Sequence, residues 1–129
     1  MRIREASKQS GMSAKTIRFY EDIGLMRPAI RAANGYRRFK ERDVRTLKFI
    51  QRARRLGFAV EDIRKLLSLW QNKRRSSAQV KALALDHVAE IEARIGQLDS
   101  MKRAVMDLAK RCHGDNRPDC PILDELADD

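Results

Sequence analysis

Cys112 and Cys120 stand near the end of a 129-residue chain that has no other cysteine. Thiolate sulfur is a soft ligand, and a pair of thiolates suits a soft cation that accepts low coordination, such as Cu(I). Zinc in a closed site takes four protein ligands. Only His113, and less readily His87, could add to the pair, because nothing after Cys120 is Cys or His. Charge also favours a monovalent ion, since two thiolates and one singly charged cation leave one residual negative charge. The segment between the cysteines, His113-Gly114-Asp115-Asn116-Arg117-Pro118-Asp119, carries the Gly, Asn and Pro of a tight loop that can bring two sulfurs together. Spacing alone leaves three outcomes open: a metal site, two inert thiols, or a local disulfide.

The second chemical signature is charge. Residues 1–75 carry 21 Lys and Arg against 7 Asp and Glu, a net of +14, whereas residues 76–129 carry 7 against 11, a net of −4. A block this basic is expected to meet a polyanion, because each neutralised phosphate releases counterions. No stretch approaches the length of apolar chain needed to span a bilayer, so no membrane role is expected. Met1-Arg2-Ile3-Arg4-Glu5 has no apolar core of a signal peptide, which points to the cytoplasm and reduced thiols. No glycine-rich phosphate loop or nucleophile–base pair is visible, which argues against an enzyme. A metallochaperone would use the same thiols but has no need of so basic a head.

These groups must be positioned by helices. The pattern predicts a first helix over about Ile3–Gln9, a break at Gly11, and a second helix capped by Ser13 and running to about Ile23. Two helices joined by three residues have the spacing of a helix-turn-helix, whose second helix enters the DNA major groove. Helical period is lost from Gly24 to Phe39. Asn34-Gly35 there signals a two-residue hairpin turn between short flanks, a small wing bearing Arg31, Arg37 and Arg38. A third helix is expected over about Glu41–Leu56 and a fourth over Val60–Trp70, the latter started by Ala59, which cannot cap it. Asn72 to Ser77 reads as a hinge.

The last long helix, about Ala78–Lys110, carries Ala84, Val88, Ile91, Ile95, Leu98, Val105 and Leu108 at alternating threes and fours, with Met101 and Lys102 disturbing the middle. That is a coiled-coil seam with a stutter. So long a stripe cannot be buried by the few residues left, so a second copy is the expected partner. Pro121 then opens a short final helix over Ile122–Leu126. The expected architecture is mainly α: a winged helix-turn-helix head over 1–75, a dimerisation helix over 76–111, and a two-cysteine loop, the candidate metal-binding loop, with a short helix over 112–129.

Ser13-Ala14-Lys15-Thr16-Ile17-Arg18-Phe19-Tyr20-Glu21-Asp22-Ile23-Gly24-Leu25 resembles the recognition helix of MerR-family transcription regulators. Asn34-Gly35-Tyr36-Arg37 resembles their wing, and Leu56-Gly57-Phe58 the lead-in to their fourth helix. The stretch from Cys112 to Ile122 is similar to the copper-efflux regulators of that family. Zinc- and lead-type relatives carry a further cysteine at the start of the long helix, where this chain has Ser76 and Ser77. The resemblance therefore implies Cu(I), Ag(I) or Au(I) as the ion, held by Cys112 and Cys120.

It further implies a homodimer joined by an antiparallel coiled coil, with Val88, Ile91, Ile95, Leu98 and Val105 in the seam. The partner is double-stranded promoter DNA with an overlong spacer. Metal binding lets the dimer distort that spacer, so RNA polymerase is reached indirectly, through DNA. Lys15 and Arg18 are the expected groove-facing residues, with Arg18 reading guanine or clamping phosphate. Tyr20 is expected at a phosphate or else in the wing core. Tyr36 and Arg37, with Arg31 and Arg54, are expected at phosphates. Ile17, Phe19, Leu25 and Phe39 are assigned to the head core, and Trp70 to core or to the joint with the long helix. The competing function is a DNA-binding redox sensor that switches through a Cys112–Cys120 disulfide.

Overall fold

Ser13 caps its helix as the sequence requires: its hydroxyl accepts from the Thr16 N–H at 3.1 Å. A computed structural model describes residues 1–128 except Ala29, Ala32, Asn34 and Tyr36, and for Ile30 and Arg37 the backbone alone. The order is α1 (Ile3–Ser10), α2 (Ala14–Asp22), β1 (Ile30–Arg31), β2 (Arg37–Arg38), α3 (Glu41–Arg55), α4 (Val60–Gln71), α5 (Ser77–Arg111) and α6 (Pro121–Ala127). The chain divides into two compact units, Met1–Leu83 and Ala84–Asp129.

In the first unit, α1 ends where Gly11 takes a φ of 76°, a left-handed conformation that costs glycine little. The Gly11 N–H closes on the Ser7 carbonyl at 2.9 Å, and the Ser7 hydroxyl donates to the Met12 carbonyl. This turn sets α1 and α2 against each other, while α3 packs on both α1 and α4. Ile17, Phe39, Leu47, Ile50 and Ile63 are fully buried where these elements meet. The apolar positions of α3, Val44, Leu47, Ile50 and Ala53, fall on its buried face as the period requires. Ala59 precedes α4 without a side-chain cap, as its methyl dictates.

The wing is an antiparallel pair in the register Ile30↔Arg38 and Arg31↔Arg37. This corrects one expectation. A two-residue turn at Asn34-Gly35 would place Arg31 opposite Arg38; the observed register is one residue away from that, and five residues separate the strands. Asn34 itself lies outside the described residues. The register follows burial at the strand's end: Phe39 is in the core, and its backbone exchanges two 2.6 Å hydrogen bonds with Met1. A slip of one residue would turn that side chain out to solvent.

Two further expectations are corrected. Phe19, assigned to the core, is 52% exposed. It lies four residues after Lys15, so the helical period sets it on the outer face, while Ile17, Tyr20 and Glu21 take the buried one. Trp70 is not the ordinary core residue that one of its two readings expects: it is 41% exposed. It stacks on Phe49 with ring centroids 4.5 Å apart and planes 10° apart. An indole at the last turn of α4 finds one aromatic partner there instead of a closed interior.

α5, which begins in the first unit and supplies most of the second, is a continuous helix of 35 residues, about 50 Å long at ~1.5 Å per residue. Among its described residues none is buried. Val88, Ile91, Ile95, Leu98, Met101 and Val105 all stand exposed along it. No helix among the described residues is long and apolar enough to cross a membrane.

Candidate DNA-binding face and metal loop

Lys15 and Arg18 are exposed on α2, one turn apart and on the face opposite buried Ile17. Phe19 shares that face, tilted against Tyr20 with ring centroids 5.7 Å apart. Residue-by-residue reading of charge missed Phe19 as a surface group, although its spacing from Lys15 carried the signal. Tyr20, expected beside a phosphate, is only 6% exposed and belongs to the core cluster. The bulk of its ring is held there by the same period that turns Lys15 and Arg18 outward.

On the wing, Arg31 is exposed and its Nη1 donates to the Gly35 carbonyl at 3.4 Å. The register sets Arg31 opposite Arg37. The Arg37 side chain and Tyr36 lie outside the described residues. Arg54 is exposed on the last turn of α3.

At the far end of the chain the loop is built from its own residues. After α5, the Cys112 N–H donates to the Ala109 carbonyl at 3.2 Å, closing the helix. Gly114 then takes a φ of 67°, which a side chain at that position would resist. Asp115 braces the loop: its Oδ1 accepts from the Arg117 N–H at 2.9 Å, and its carboxylate pairs with Arg117 Nε at 2.9 and 3.1 Å. Neither residue was singled out from the sequence; an Asp two positions before an Arg in a turn was the available signal. Cys120 is the N-cap residue of α6, with Pro121 in the first turn.

These features bring the two thiols to 4.0 Å, Sγ to Sγ, without a covalent bond. The Cys120 thiol is held below its ordinary value, chiefly by the Leu123 backbone N–H, with help from the Ile122 N–H and the Cys112 thiol. Desolvation and the Asp124 carboxylate act in the opposite direction. Among the described residues no group of three or more His, Cys, Asp and Glu gathers to hold an ion, so neither His113 nor His87 joins the thiols in such a set. A two-sulfur donor set fits one soft ion of low coordination. It does not fit an ion that needs four strong protein ligands.

Residues 1–70 match the family described as MerR HTH family regulatory protein, and residues 44–108 match the family described as MerR, DNA binding. The chain belongs to the MerR family. Its members are transcription regulators and not enzymes. Among similar proteins, Heavy metal-dependent transcription regulator 2 of Rhizobium meliloti is 54% identical over 98% of this chain and 86% of its own length. The HTH-type transcriptional regulator CueR of Salmonella typhimurium is 42% identical over 98% of this chain and 92% of its own. Among solved structures, the regulator PbrR691 of Ralstonia metallidurans in complex with lead(II) superposes with a TM-score of 0.87 at 32% identity, covering 98% and 99% of the two chains. A MerR-family head and long helix thus account for the fold. The loop from Cys112 to Cys120 lies beyond both matched ranges.

Proposed function

We propose that this MerR-family regulator is metal-responsive, binding promoter DNA as a homodimer and activating transcription when Cys112 and Cys120 take up Cu(I), Ag(I) or Au(I). The observation that carries the ion class is the pair of thiols at 4.0 Å with no larger ligand group among the described residues. A relative described as heavy metal-dependent and the similarity to CueR support a metal effector. The lead(II)-bound neighbour shows that the fold also serves a divalent ion, but here the chain supplies two cysteines and no third. The bound ion would tie the end of α5 to the start of α6 through sulfur.

Residues 1–75 act as the DNA-binding part, 76–111 as the dimerisation helix, and 112–129 as the metal loop with its short helix. Lys15 and Arg18 face the major groove. Phe19 joins them, where an aromatic edge can meet a thymine methyl. Arg31, Tyr36, Arg37 and Arg54 hold phosphates. The exposed row Val88, Ile91, Ile95, Leu98 and Val105 pairs with its copy in an antiparallel coiled coil. Metal binding favours the dimer state that distorts an overlong promoter spacer, so that RNA polymerase engages both promoter elements through the DNA.

The test is an anaerobic Cu(I) titration of the reduced protein against a competing chelator, followed by X-ray absorption. One ion per loop with two sulfur neighbours supports the assignment; three or four neighbours including nitrogen overturn it. Cys112→Ser or Cys120→Ser should abolish metal-dependent transcription and leave apo operator binding nearly intact. The facing thiols also favour a second reading, a redox sensor that closes a local disulfide. No metal uptake under reducing conditions, with a DNA response to oxidant, would decide for that reading.

A further inference from the structure

A concavity of about 660 Å³ opens between the segment after α2, the start of α3 and the end of α4. Arg27, Arg42, Arg45, Arg64 and Lys73 line it, against a single lining carboxylate, Asp43. Asp43 is already engaged, accepting from the Lys40 N–H at 2.7 Å. Arg64 is engaged as well: it donates to the Ile23 carbonyl at 3.0 Å and lies 3.6 Å from Glu61. Arg27, Arg42, Arg45 and Lys73 have no side-chain hydrogen bond or ion pair among the described residues. Gathering four uncompensated cations around one hollow is electrostatically unfavourable, and the low-dielectric walls focus their field into it.

Part of the wall is apolar, beside the polar Thr46, Ser68 and Gln71. Leu25, Met26 and Leu67 are buried beneath the hollow, and half-exposed Trp70 borders it. None of the described DNA-contact candidates lines it. Lys15 and Arg18 lie in the first and middle turns of α2, whereas the concavity begins after that helix ends.

We propose that this concavity binds a phosphate-bearing anion, with Arg27, Arg42, Arg45 and Lys73 on the phosphates. Guanidinium forks match phosphate oxygens two at a time, and a polyphosphate concentrates enough charge to answer four cations in one hollow. The volume is that of a small-molecule site. An acidic peptide spreads its carboxylates along an extended backbone and matches a convergent set less well. Two sources share this chemistry: a free polyphosphorylated molecule, and the backbone of DNA flanking the operator. The site stands independently of the metal reading.

Trp70 is the only tryptophan of the chain, so its emission reports on the hollow directly. The full-length protein is titrated with inorganic tripolyphosphate at low salt. A saturable change in emission is expected, with the midpoint raised about tenfold or more in Arg27→Glu/Arg42→Glu. Arg18→Ala should bind tripolyphosphate like the wild type while losing operator affinity. Both replaced arginines are exposed, and circular dichroism checks the fold of the double variant; Lys73→Ala, outside any helix, should raise the midpoint about two- to threefold as an independent arm.

A DNA source is shown if tripolyphosphate competes with operator and the double variant lowers the salt slope of operator binding by about 1–2. A free-anion source is shown if both bind together and the double variant holds operator normally. The proposal is overturned by no saturable change up to ~10 mM tripolyphosphate. A response undiminished in a folded double variant and in Lys73→Ala overturns it too, as does tighter saturation by a glutamate-rich peptide.

Discussion

Leu47 in α3 has no exposed surface, whereas Ile95 in α5 is 59% exposed, although both are large aliphatic residues at helical core spacing. The first unit closes its own core from four helices and from Leu25, Met26 and Phe39, which flank the wing. The second carries an apolar row of similar period that none of the described residues covers. Periodicity therefore says which face of a helix is apolar. What the face is buried against depends on how much chain is left to fold back, and for the row from Val88 to Val105, roughly 25 Å at ~1.5 Å per residue, the proposed partner is another chain.

The sharpest way to break this contrast is to damage each row in turn. Leu47→Ala should destabilise the first unit by about 2–5 kcal/mol, read by urea unfolding, because it removes a fully buried side chain and leaves a cavity. Self-association should be retained under conditions where the variant is folded. Ile95→Asp should do the reverse. It should give monomers in sedimentation equilibrium and weaken operator binding about 100-fold, ~2.7 kcal/mol, while the unfolding of the first unit stays unchanged. A wild-type protein that sediments as a monomer at micromolar concentration would remove the argument for a second copy.

Within the first unit, Arg18→Ala should cost about 1–3 kcal/mol of operator affinity, and should relax base preference if Arg18 reads a base. An equal loss on all sequences would reassign it to a phosphate, and no loss would sink the recognition-helix assignment. The smallest effect belongs to the loop. Cys120 is depressed by hydrogen bonds, so its thiolate form is favoured by folding. That stabilisation is present above the unfolded thiol's titration and lost as pH falls through the folded one. In Cys112→Ser, alkylation of Cys120 by iodoacetamide should therefore reach half its maximal rate at lower pH in the folded protein than in urea. The Leu123 N–H, the largest cause of the shift, survives that substitution. Equal midpoints would show that the α6 backbone does not hold the thiolate.

Much of the fold is legible in the chain because the signals are local. Ser13 caps because its hydroxyl reaches an N–H three residues away, and Gly11 stops α1 because it alone tolerates a left-handed turn there. Pro121 opens α6 because the first turn needs no N–H from it. The cysteine pair is legible for a similar reason: a short loop between fixed helix ends confines two sulfurs. The surface group Phe19 was harder to read, since aromatic character suggested the core while its spacing from Lys15 set it outside. The loop brace of Asp115 and Arg117 is a contact between polar side chains that no periodic pattern announces.

The sequence by itself determined the helix order, the capped recognition helix, the charge division between head and tail, and a thiol pair with no third cysteine. These depend on residue type and on neighbours a few positions apart. Only the tertiary structure decided that Trp70 rests half-exposed on Phe49 and that the wing pairs one residue away from a two-residue turn. It alone gathered Arg27, Arg42, Arg45 and Lys73, from three separate segments, around one hollow. Each of these outcomes depends on surfaces brought together from distant parts of the chain, where packing and burial outweigh the preference of any single residue.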